Sequence, residues 1–292
     1  MAKTLNVFSK IPSLRERYYQ ALIGKEDLIK LVGEAEVAEQ VYNSNAIENS
    51  TLTLEETEKI LLHIDLDRYI TEREIFEAKN LARVVSYIDT RAKEQELTLD
   101  VMLSLHKILI SNIRDAIAGR FRTGHEYVRV GSHIAPPPVE VVGQLEKMLA
   151  EYNAAREENI IKRIAKLHLN FEYIHPFVDG NGRLGRALNN YLLIREGYVP
   201  INIKFIDRNK YYEAFKEFDT KGTGTIMEEI VGRALTNSYH KRLAYLEGKK
   251  IITLAEYGKR HKLSHSNLIN KAGRQTIEAF LEKGVWKIGV GG

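Results

Sequence analysis

Apolar residues recur at helical spacing along most of the chain. Residues 26–42 are rich in Leu, Ala, Glu and Val and contain no proline, and residues 71–92 alternate charged and apolar groups at the same spacing. In residues 160–174 the apolar side chains fall on one helical face, which predicts a buried stripe. The same pattern predicts further helices at residues 139–156, 183–196, 208–218 and 225–246. The chain is therefore predicted to be mostly helical.

Two sequence signatures mark the starts of shorter helices. Thr53 and Glu56 match a capping box, in which the hydroxyl and the carboxylate each accept a hydrogen bond from an unpaired N–H group at the helix start. The helix that they begin continues through Leu62. Thr98 lies where it can cap the apolar helix that follows it.

Residues 119–139 break the helical pattern. Gly119, Gly124 and Gly131 punctuate the segment, the stretch YVRV alternates apolar and polar groups, and three consecutive prolines follow at 136–138. Alternation bounded by glycines is typical of a strand, and prolines end regular structure. We predict a short β-hairpin or flap, followed by an extended rim.

A separate small module is predicted after a boundary near residues 248–252. Thr253 and Glu256 form a second candidate capping box, and VWKIGV near the C-terminus is typical of a strand. Three short helices followed by a strand suggest a winged-helix-like module. Its helical pieces are predicted at residues 254–262, 265–272 and 274–283.

The composition excludes several classes of protein. The chain has 292 residues, is 44% apolar, carries a net charge of +4 and contains no cysteine, so it has no disulfides and no thiolate metal sites. No apolar run approaches the ~18 residues that cross a bilayer, and the N-terminal segment lacks an apolar signal stretch. A cytoplasmic protein without a membrane span is the default expectation.

The C-terminal segment is basic. Residues 240–292 carry 11 Lys or Arg against 4 Asp or Glu, whereas the rest of the chain carries 32 against 35. Such a bias predicts either an anionic partner or a solvated basic surface. If the partner is DNA, a helix-turn-helix would use Lys271 and Arg274 on phosphates. A small helical cap that recruits a target or forms a homodimer is the alternative.

Candidate functional residues are most concentrated in the segment HPFVDGNGRLGR at residues 175–186. Gly180 and Gly182 allow a sharp turn and a close approach of the backbone to a ligand. The turn leads into a helix whose first N–H groups have no partner within the helix, which is a binding site for phosphate. Arg183 and Arg186 emerge on one side of the first turn, where a bound polyphosphate would offset their conflict with the helix dipole.

Asp179 and His175 add a metal ligand and a base to this loop. A carboxylate beside a phosphate site commonly binds Mg²⁺, and a histidine can accept a proton from an attacking hydroxyl near neutral pH. Singly, each feature is more often structural, so the prediction rests on their coincidence. A metal-hydrolase site of His168, Glu172 and His175 is disfavoured, because His168 lies in the apolar stripe and is expected to be a core histidine.

The segment resembles the signature of Fic-domain proteins, H-P-F-x-[D/E]-G-N-G-R-x-x-R, with every fixed position filled. The resemblance covers roughly residues 40–245 and implies an all-α Fic fold that transfers AMP from ATP to a Ser, Thr or Tyr hydroxyl of a target protein. It implies that His175 is the base and that Asp179 binds Mg²⁺ on the α- and β-phosphates. It also implies that the phosphates are held by Gly180, Asn181, Gly182 and Arg183, with Arg186 on the γ-phosphate.

Two other segments resemble the family pattern. One is a flap strand that pins a target peptide as an added strand beside ATP. The other is a tyrosine pair near the nucleotide, for which core packing is the alternative. Some relatives carry an asparagine seven residues beyond that pair, where this chain has Asp219. The implied contacts are Val128, Val130 and Gly131 in the flap and the pair Tyr211 and Tyr212.

Upstream, the stretch SNAIEN from Ser44 to Asn49 resembles the Fic inhibitory motif, [S/T]-x-x-x-E-[G/N]. By this resemblance Glu48 forms an ion pair with Arg186. An arginine that is neutralised by an internal carboxylate cannot also hold a γ-phosphate. The resemblance therefore implies an autoinhibited enzyme.

The sequence predicts three parts: an N-terminal helical region (1–100) with the inhibitory motif, a Fic core (101–247) and the winged-helix-like module (248–292). The leading function is a protein adenylyltransferase that uses ATP and Mg²⁺. Two alternatives stay open. One is hydrolytic removal of AMP at the same site, with Glu48 orienting a water molecule. The other is a DNA-associated regulator with a vestigial Fic core.

Overall fold

The computed structural model describes residues 7–130 and 133–291. Its strands are β1 (Arg129–Val130), β2 (His133–Ile134), β3 (Lys250–Thr253), β4 (Ala279–Glu282) and β5 (Val285–Val290). Its helices are α1 (Val7–Leu22), α2 (Glu26–Ile47), α3 (Leu54–Leu61), α4 (Glu72–Arg91), α5 (Leu99–Ile110), α6 (Val141–Ala154), α7 (Ile160–Ile174), α8 (Asn181–Arg195), α9 (Arg208–Lys221), α10 (Thr225–Leu246), α11 (Leu254–His261) and α12 (His265–Gly273). The predicted all-α core with a β-hairpin flap is confirmed. No described helix is long and apolar enough to cross a membrane.

These elements form two compact units. The core unit comprises residues 37–228, and the terminal unit combines the described residues up to 36 with residues 229–291. The core unit holds the signature loop, the flap and the inhibitory motif. The three-part division inferred from the sequence stays a prediction.

The apolar stripe of α7 is buried in the core unit, as predicted. Ile161, Ile164 and Phe171 are fully buried, and His168 is a core histidine with no exposed surface. On α8, Leu184 and the rest of its inward face are equally buried, and α7 packs against α8. Because both flanking helices are anchored in the core, the loop that joins them has two fixed ends.

Polar caps start several helices where the sequence predicted them. The Thr53 hydroxyl accepts the N–H of Glu56 at 3.1 Å, while the Glu56 carboxylate accepts the N–H of Thr53 at 2.8 Å. Thr98 caps α5 through its hydroxyl. At the second predicted capping box only half of the pattern forms. Thr253 accepts the N–H of Glu256, but the Glu256 carboxylate pairs with Arg260.

The C-terminal part of the terminal unit has the topology of a winged helix. Strands β3 and β4 both pair antiparallel with β5, which gives the order β3-β5-β4. Helices α11 and α12 lie between β3 and β4 in the chain. The module has its own small core: Ile252, Leu254, Leu268, Ala272, Ala279 and Ile288.

One predicted helix of this module is wrong. Residues 274–283 were expected to be helical, but α12 ends at Gly273 and strand β4 takes their place. Gln275 adopts a positive φ of 53°, which a helix cannot accommodate. Lys283 and Gly284 also have positive φ and form the two-residue turn of a β-hairpin. Helix α1 was not predicted at all.

Candidate active site

The loop between α7 and α8 is locked by its own residues. His175 ends α7 with φ 47°, in the left-handed region, and Gly180 begins α8 with φ 87°. A Cβ atom at Gly180 would lie only 2.9 Å from a side-chain carbon of Ile110, so only glycine fits there. The Asn181 amide accepts the N–H of Phe177 and donates to its carbonyl, which closes the loop on itself.

Two buried side chains outside the signature hold the same loop. The Arg122 guanidinium donates to the carbonyls of His175 (2.8 Å), Ile174 (3.0 Å) and Pro136 (2.5 Å) and is almost completely buried. His106 accepts the N–H of Gly119 at Nδ1, so its Nε2 carries the hydrogen and donates to the Asp179 carbonyl at 3.0 Å. These bonds fix the backbone around the candidate base and metal ligand.

The N-terminus of α8 is occupied by the carboxylate of Glu48, the residue that follows α2. The cap residue Gly180 offers no side chain to the first N–H groups of the helix. The Glu48 carboxylate lies against Gly182, where a Cβ atom would come within 2.1 Å of Oε1. A helix N-terminus favours an anion, so Glu48 stands where a phosphate would bind.

Arg186 is fully engaged by the end of α2 and by Tyr211. Its Nη2 lies 2.9 Å from Glu48 Oε1 and donates to the Ser44 carbonyl, and its Nε donates to the Ser44 hydroxyl at 3.0 Å. Its Nη1 donates to the Tyr211 hydroxyl at 3.1 Å. The predicted ion pair between Glu48 and Arg186 is thus present. All three guanidinium nitrogens have protein partners, so a phosphate would have to displace some of these contacts to bind Arg186.

Asp179 lies beside two arginines. Its Oδ1 accepts from Arg183 Nη2 at 3.1 Å and its Oδ2 from Arg73 Nη2 at 3.0 Å, while Glu77 bridges both guanidinium groups. No cluster of three His, Asp or Glu side chains that could hold a metal occurs among the described residues. Mg²⁺ is commonly held by one or two carboxylates together with substrate phosphates. The carboxylate of Asp179 fits that mode and not an all-protein cage.

A cavity of about 460 Å³ opens beside His175. Its mixture of aromatic walls and a few polar groups suits a flat ring system with a charged tail. Asp179, Arg183 and Arg186 are not among its lining residues. Those lining residues are Glu48, Val130, His133, Leu169, Glu172, Tyr173, His175, Gly182, Tyr211, Tyr212, Phe215, Lys216, Phe218, Asp219 and Thr220.

His175 is neutral in this environment. Burial lowers the pKa of its imidazole to about 4. Nδ1 lies 3.3 Å from the Glu172 carbonyl, so that nitrogen carries the hydrogen and Nε2 is left as the acceptor. At neutral pH His175 is therefore in the unprotonated form that a general base requires, with Nε2 as its free acceptor.

Of the two adjacent tyrosines, Tyr211 is buried in the core and Tyr212 is partly exposed at the site. Tyr211 is buried, and its hydroxyl lies 2.8 Å from His168 Nε2 as well as contacting Arg186. Tyr212 is 40% exposed, and its hydroxyl donates to the Ile47 carbonyl at the end of α2. Arg208 reinforces this end by donating to the Ile47 carbonyl and to the Asn49 side chain. Asn49 of the inhibitory motif is thereby held by α9.

The flap consists of β1 and β2, paired antiparallel with Val130 opposite His133. The carbonyl of Val128 accepts the N–H of Ala135 and extends the pairing. Val130 and Ile134 are exposed, at 40% and 69%. Gly131, predicted as a flap contact, lies outside the described residues.

The structure brings most of the predicted residues of the core unit into one region. His175, Gly182 and Glu48 meet at the cavity, while Arg183 and Arg186 turn to different acidic partners and do not form one cationic face. The predicted DNA contacts Lys271 and Arg274 are exposed on and just after α12. Sequence reasoning missed Arg122, His106 and Glu172 as determinants of the site. A histidine within the apolar α5 segment was a usable signal for His106, whereas nothing local marked Arg122.

Comparison with known proteins places this geometry in a family. Residues 96–193 match the model of the Fic/DOC family. The chain is 30% identical over 218 residues to Protein adenylyltransferase Fic of Nematostella vectensis, an alignment that covers 71% of this chain and 49% of that protein. It is 28% identical over 299 residues to the protein of the same name from Drosophila yakuba, covering 94% and 58%. The chain thus spans about half the length of the curated relatives it matches.

Solved structures support the same fold. A Fic domain containing signaling protein from Bacteroides thetaiotaomicron superposes with a TM-score of 0.74 at 22% identity, covering 82% of this chain and 98% of that one. A Fic family protein from Desulfovibrio desulfuricans superposes with a TM-score of 0.68 at 20% identity, covering 100% and 97%. At these identities the likeness establishes the fold alone.

Proposed function

The chain belongs to the Fic/DOC family through residues 96–193, and we propose that it is a protein adenylyltransferase that moves AMP from ATP to a hydroxyl side chain of a target protein. The observation that carries this proposal is the neutral, buried His175 beside an uncapped helix N-terminus and a cavity with aromatic walls. The names of the curated relatives support it.

In the proposed reaction the target hydroxyl gives its proton to His175 Nε2, and its oxygen forms a bond to the α-phosphorus of ATP. The bond between the α-phosphorus and the oxygen that bridges to the β-phosphate breaks, and pyrophosphate leaves. His175 acts as the general base, a role typically worth about 10²–10⁴-fold in rate. The backbone N–H groups at Gly182 and the first turn of α8 bind the phosphates.

Mg²⁺ would be held by Asp179 together with the phosphates, where it would neutralise charge on the leaving pyrophosphate. The Asn181 side chain is committed to Phe177, so its contribution to phosphate binding would come from the backbone. Arg183 would extend the cationic side of the site next to Asp179. The flap would bind the target peptide as an added strand.

The resting protein is proposed to be inhibited by Glu48. Its carboxylate occupies the N-terminus of α8 and neutralises Arg186, so the binding site for the γ-phosphate is blocked. Ser44 strengthens the block by accepting from the same guanidinium. Removal of Glu48 is therefore expected to free both the helix N-terminus and the arginine.

The test uses ATP labelled in the α-phosphate, a cell lysate and three forms of the full chain: wild type, Glu48→Gly, and Glu48→Gly with His175→Ala. We expect labelled protein only with Glu48→Gly, while nucleotide binding measured by calorimetry survives the His175 change. Mass spectrometry then identifies the transferred group and its recipient. Equal labelling by wild type and Glu48→Gly would contradict the inhibition, and labelling by the His175→Ala form would contradict the base.

Removal of AMP by hydrolysis is the second candidate, because the Glu48 carboxylate borders the same cavity as His175 and could orient a water molecule there. A target that already carries AMP separates the two directions. Release of AMP by the wild type, and its loss in Glu48→Gly, would favour hydrolysis. Cytoplasmic location and a homodimer are required by neither reaction and stay predictions.

A third element of the proposal concerns DNA and the winged-helix-like module. Residues 257–277 contain no Asp or Glu, and α12 exposes polar and basic side chains. The full chain should bind duplex DNA with strong salt dependence, and Lys271→Ala with Arg274→Ala should reduce the salt slope by about one for each lost phosphate contact. Lys147→Ala on α6 is the matched control. No binding at low salt would contradict this element alone.

A further inference from the structure

Glu172 is a carboxylic acid that the reaction above does not use, although it lies beside the base. It precedes His175 by one helical turn, and its Oε2 lies 3.7 Å from His175 Nδ1. Its side chain is only 11% exposed, and Oε1 is buried without a hydrogen-bond partner. Gly185 makes room for this oxygen, because a Cβ atom there would come within 2.4 Å of Oε1. A buried acid with an unpaired oxygen at a reaction centre calls for an explanation.

The charges around Glu172 and His175 connect them to the inhibitory motif. Burial and the nearby Glu48 carboxylate raise the pKa of Glu172 to about 8, and the charge of Arg186 opposes them. With Glu48 in place, Glu172 is therefore protonated at neutral pH. The other charged or titratable groups that face this pair are Arg122 and His133 beside His175, and Tyr211, which is coupled to Arg186 and Glu172.

We propose that Glu172 is a positioning residue for His175, whose carboxylate stabilises the imidazolium formed when Nε2 takes the proton of the target hydroxyl, and that Glu48 opposes this role while it occupies the site. The proposal rests on the adenylyltransferase function. The proton stays on His175 during transfer, and Glu172 supplies only its negative charge on the Nδ1 side. Glu48 would thus inhibit twice, by occupying Arg186 and by adding its negative charge to the burial that disfavours the Glu172 carboxylate.

The physical need for this partner follows from the burial of His175. A desolvated imidazole is a weak base, and general-base catalysis is most efficient when the base titrates near the working pH. An opposite charge within about 4–6 Å typically raises such a pKa by one to three units. The carbonyl of Glu172 fixes the tautomer, whereas only its side chain can supply a full charge.

The direct test is an NMR titration of protein with ¹³C-labelled histidine, in which His175→Ala identifies the resonance. Four forms are compared: wild type, Glu48→Gly, Glu172→Gln and the double variant. In the Glu48→Gly background, Glu172→Gln should lower the pKa of His175 by roughly one unit. In the presence of Glu48 the same change should have little effect, so the double-mutant cycle is non-additive. An identical His175 pKa in Glu48→Gly and the double variant would overturn the proposal.

Kinetics provide the second readout, again in the Glu48→Gly background. Glu172→Gln should shift the acid limb of the pH–rate profile to lower pH and reduce kcat about 10-fold with KM for ATP unchanged. Glu172→Asp keeps the charge and should recover part of the rate. Glu196→Gln, which changes the partner of Arg163 away from the site, is the matched control. A purely structural Glu172 would lower activity and melting temperature without moving the acid limb, which would contradict the proposal.

The two failures are distinguishable. If Glu48→Gly transfers no AMP while the His175 pKa still depends on Glu172, the proposed function is wrong and the coupled pair stands. If Glu48→Gly transfers AMP and the titration shows no dependence on Glu172, the function stands and the positioning role is wrong.

Discussion

The loop at residues 175–180 and the flap formed by β1 and β2 both contribute to the cavity, but they are held in opposite ways. The loop is fixed by hydrogen bonds from Arg122, His106 and Asn181, all of which are buried. In the described part of the flap, two short strands pair with each other, and the His133 ring bonds the Tyr173 carbonyl. Its apolar side chains remain exposed.

This difference fits the two substrates of the proposed reaction. A nucleotide has one shape and one set of charges, so a preorganised backbone serves it without rearrangement at the moment of reaction. A protein target varies in side chains while its backbone is constant, and a strand edge binds a backbone through main-chain hydrogen bonds. The comparison predicts that damage to the loop lowers stability and rate together, whereas damage to the flap affects target binding alone.

The largest effect is expected from Arg122→Ala. It leaves three buried carbonyls around His175 without donors, so the free energy of unfolding should fall by about 3 kcal/mol. AMP transfer by the Glu48→Gly form should be lost with it. Urea denaturation monitored by circular dichroism measures the first quantity.

The matched control is Arg120→Ala, two residues away. Arg120 pairs with Glu126 and its side chain is 40% exposed, so we expect a loss below about 1 kcal/mol. A loss for Arg122→Ala as small as that for Arg120→Ala would remove the distinction between a pinned loop and a loosely held flap.

The second-largest effect is expected from low pH, which should reduce the free energy of unfolding through His106 beside the loop. Burial lowers the pKa of His106 to about 4, below its ordinary value near 6.5. The unfolded chain therefore binds a proton between these pH values that the folded protein does not, and stability falls as the pH drops from about 6.5 to 4 at up to roughly 1.4 kcal/mol per pH unit for this group. His106→Gln should make that slope shallower, as measured by denaturation at several pH values. The same slope in His106→Gln as in wild type would show that His106 is not a neutral anchor.

The exposed His125 supplies the control for this series. His125→Gln should leave the pH dependence of unfolding as it is in the wild type. His168 and His175, whose pKa values burial lowers to about 3 and about 4, and His240, whose pKa burial also lowers, contribute to the same pH dependence in every variant. The comparison therefore uses differences between slopes and not their absolute values.

The smallest effect on stability is expected from Ile134→Ser in the flap. Because the side chain is 69% exposed, the free energy of unfolding should change by less than about 0.5 kcal/mol. In the Glu48→Gly background the KM for the target protein should rise, while the KM for ATP is unchanged. A parallel rise in both constants would indicate that the flap belongs to the nucleotide site.

Sequence reasoning recovered what depends on local periodicity and on one dense motif. The helices around the loop, the Thr53 capping box and the burial of His168 follow from spacing and capping chemistry alone. Residues 274–283 were assigned to the wrong element because their apolar groups are compatible with either period, and tertiary pairing with β5 decided the outcome. The turn at Lys283 and Gly284 was the signal that would have corrected it.

The supporting residues of the site could not be found in this way. Arg122 lies 53 positions from His175, and its role depends on burial among carbonyls that no local pattern reveals. The pairing of Glu48 with Arg186 was inferred through family resemblance and not from spacing. Glu172 was noticed only as a candidate metal ligand, because its importance lies in a desolvated environment that exists only after folding.

The absence of a Cβ atom at Gly182 has a consequence for how the proposed enzyme can be inhibited. The space that a nucleotide tail would need to reach the helix amides in the proposed reaction is the space that Glu48 fills, with Oε1 2.1 Å from where a Cβ atom would stand. In the proposed enzyme, a side chain at this position would compete both with the phosphate tail and with the blocking carboxylate. The blocked and the active states of the proposed enzyme therefore require the same unsubstituted α-carbon at residue 182.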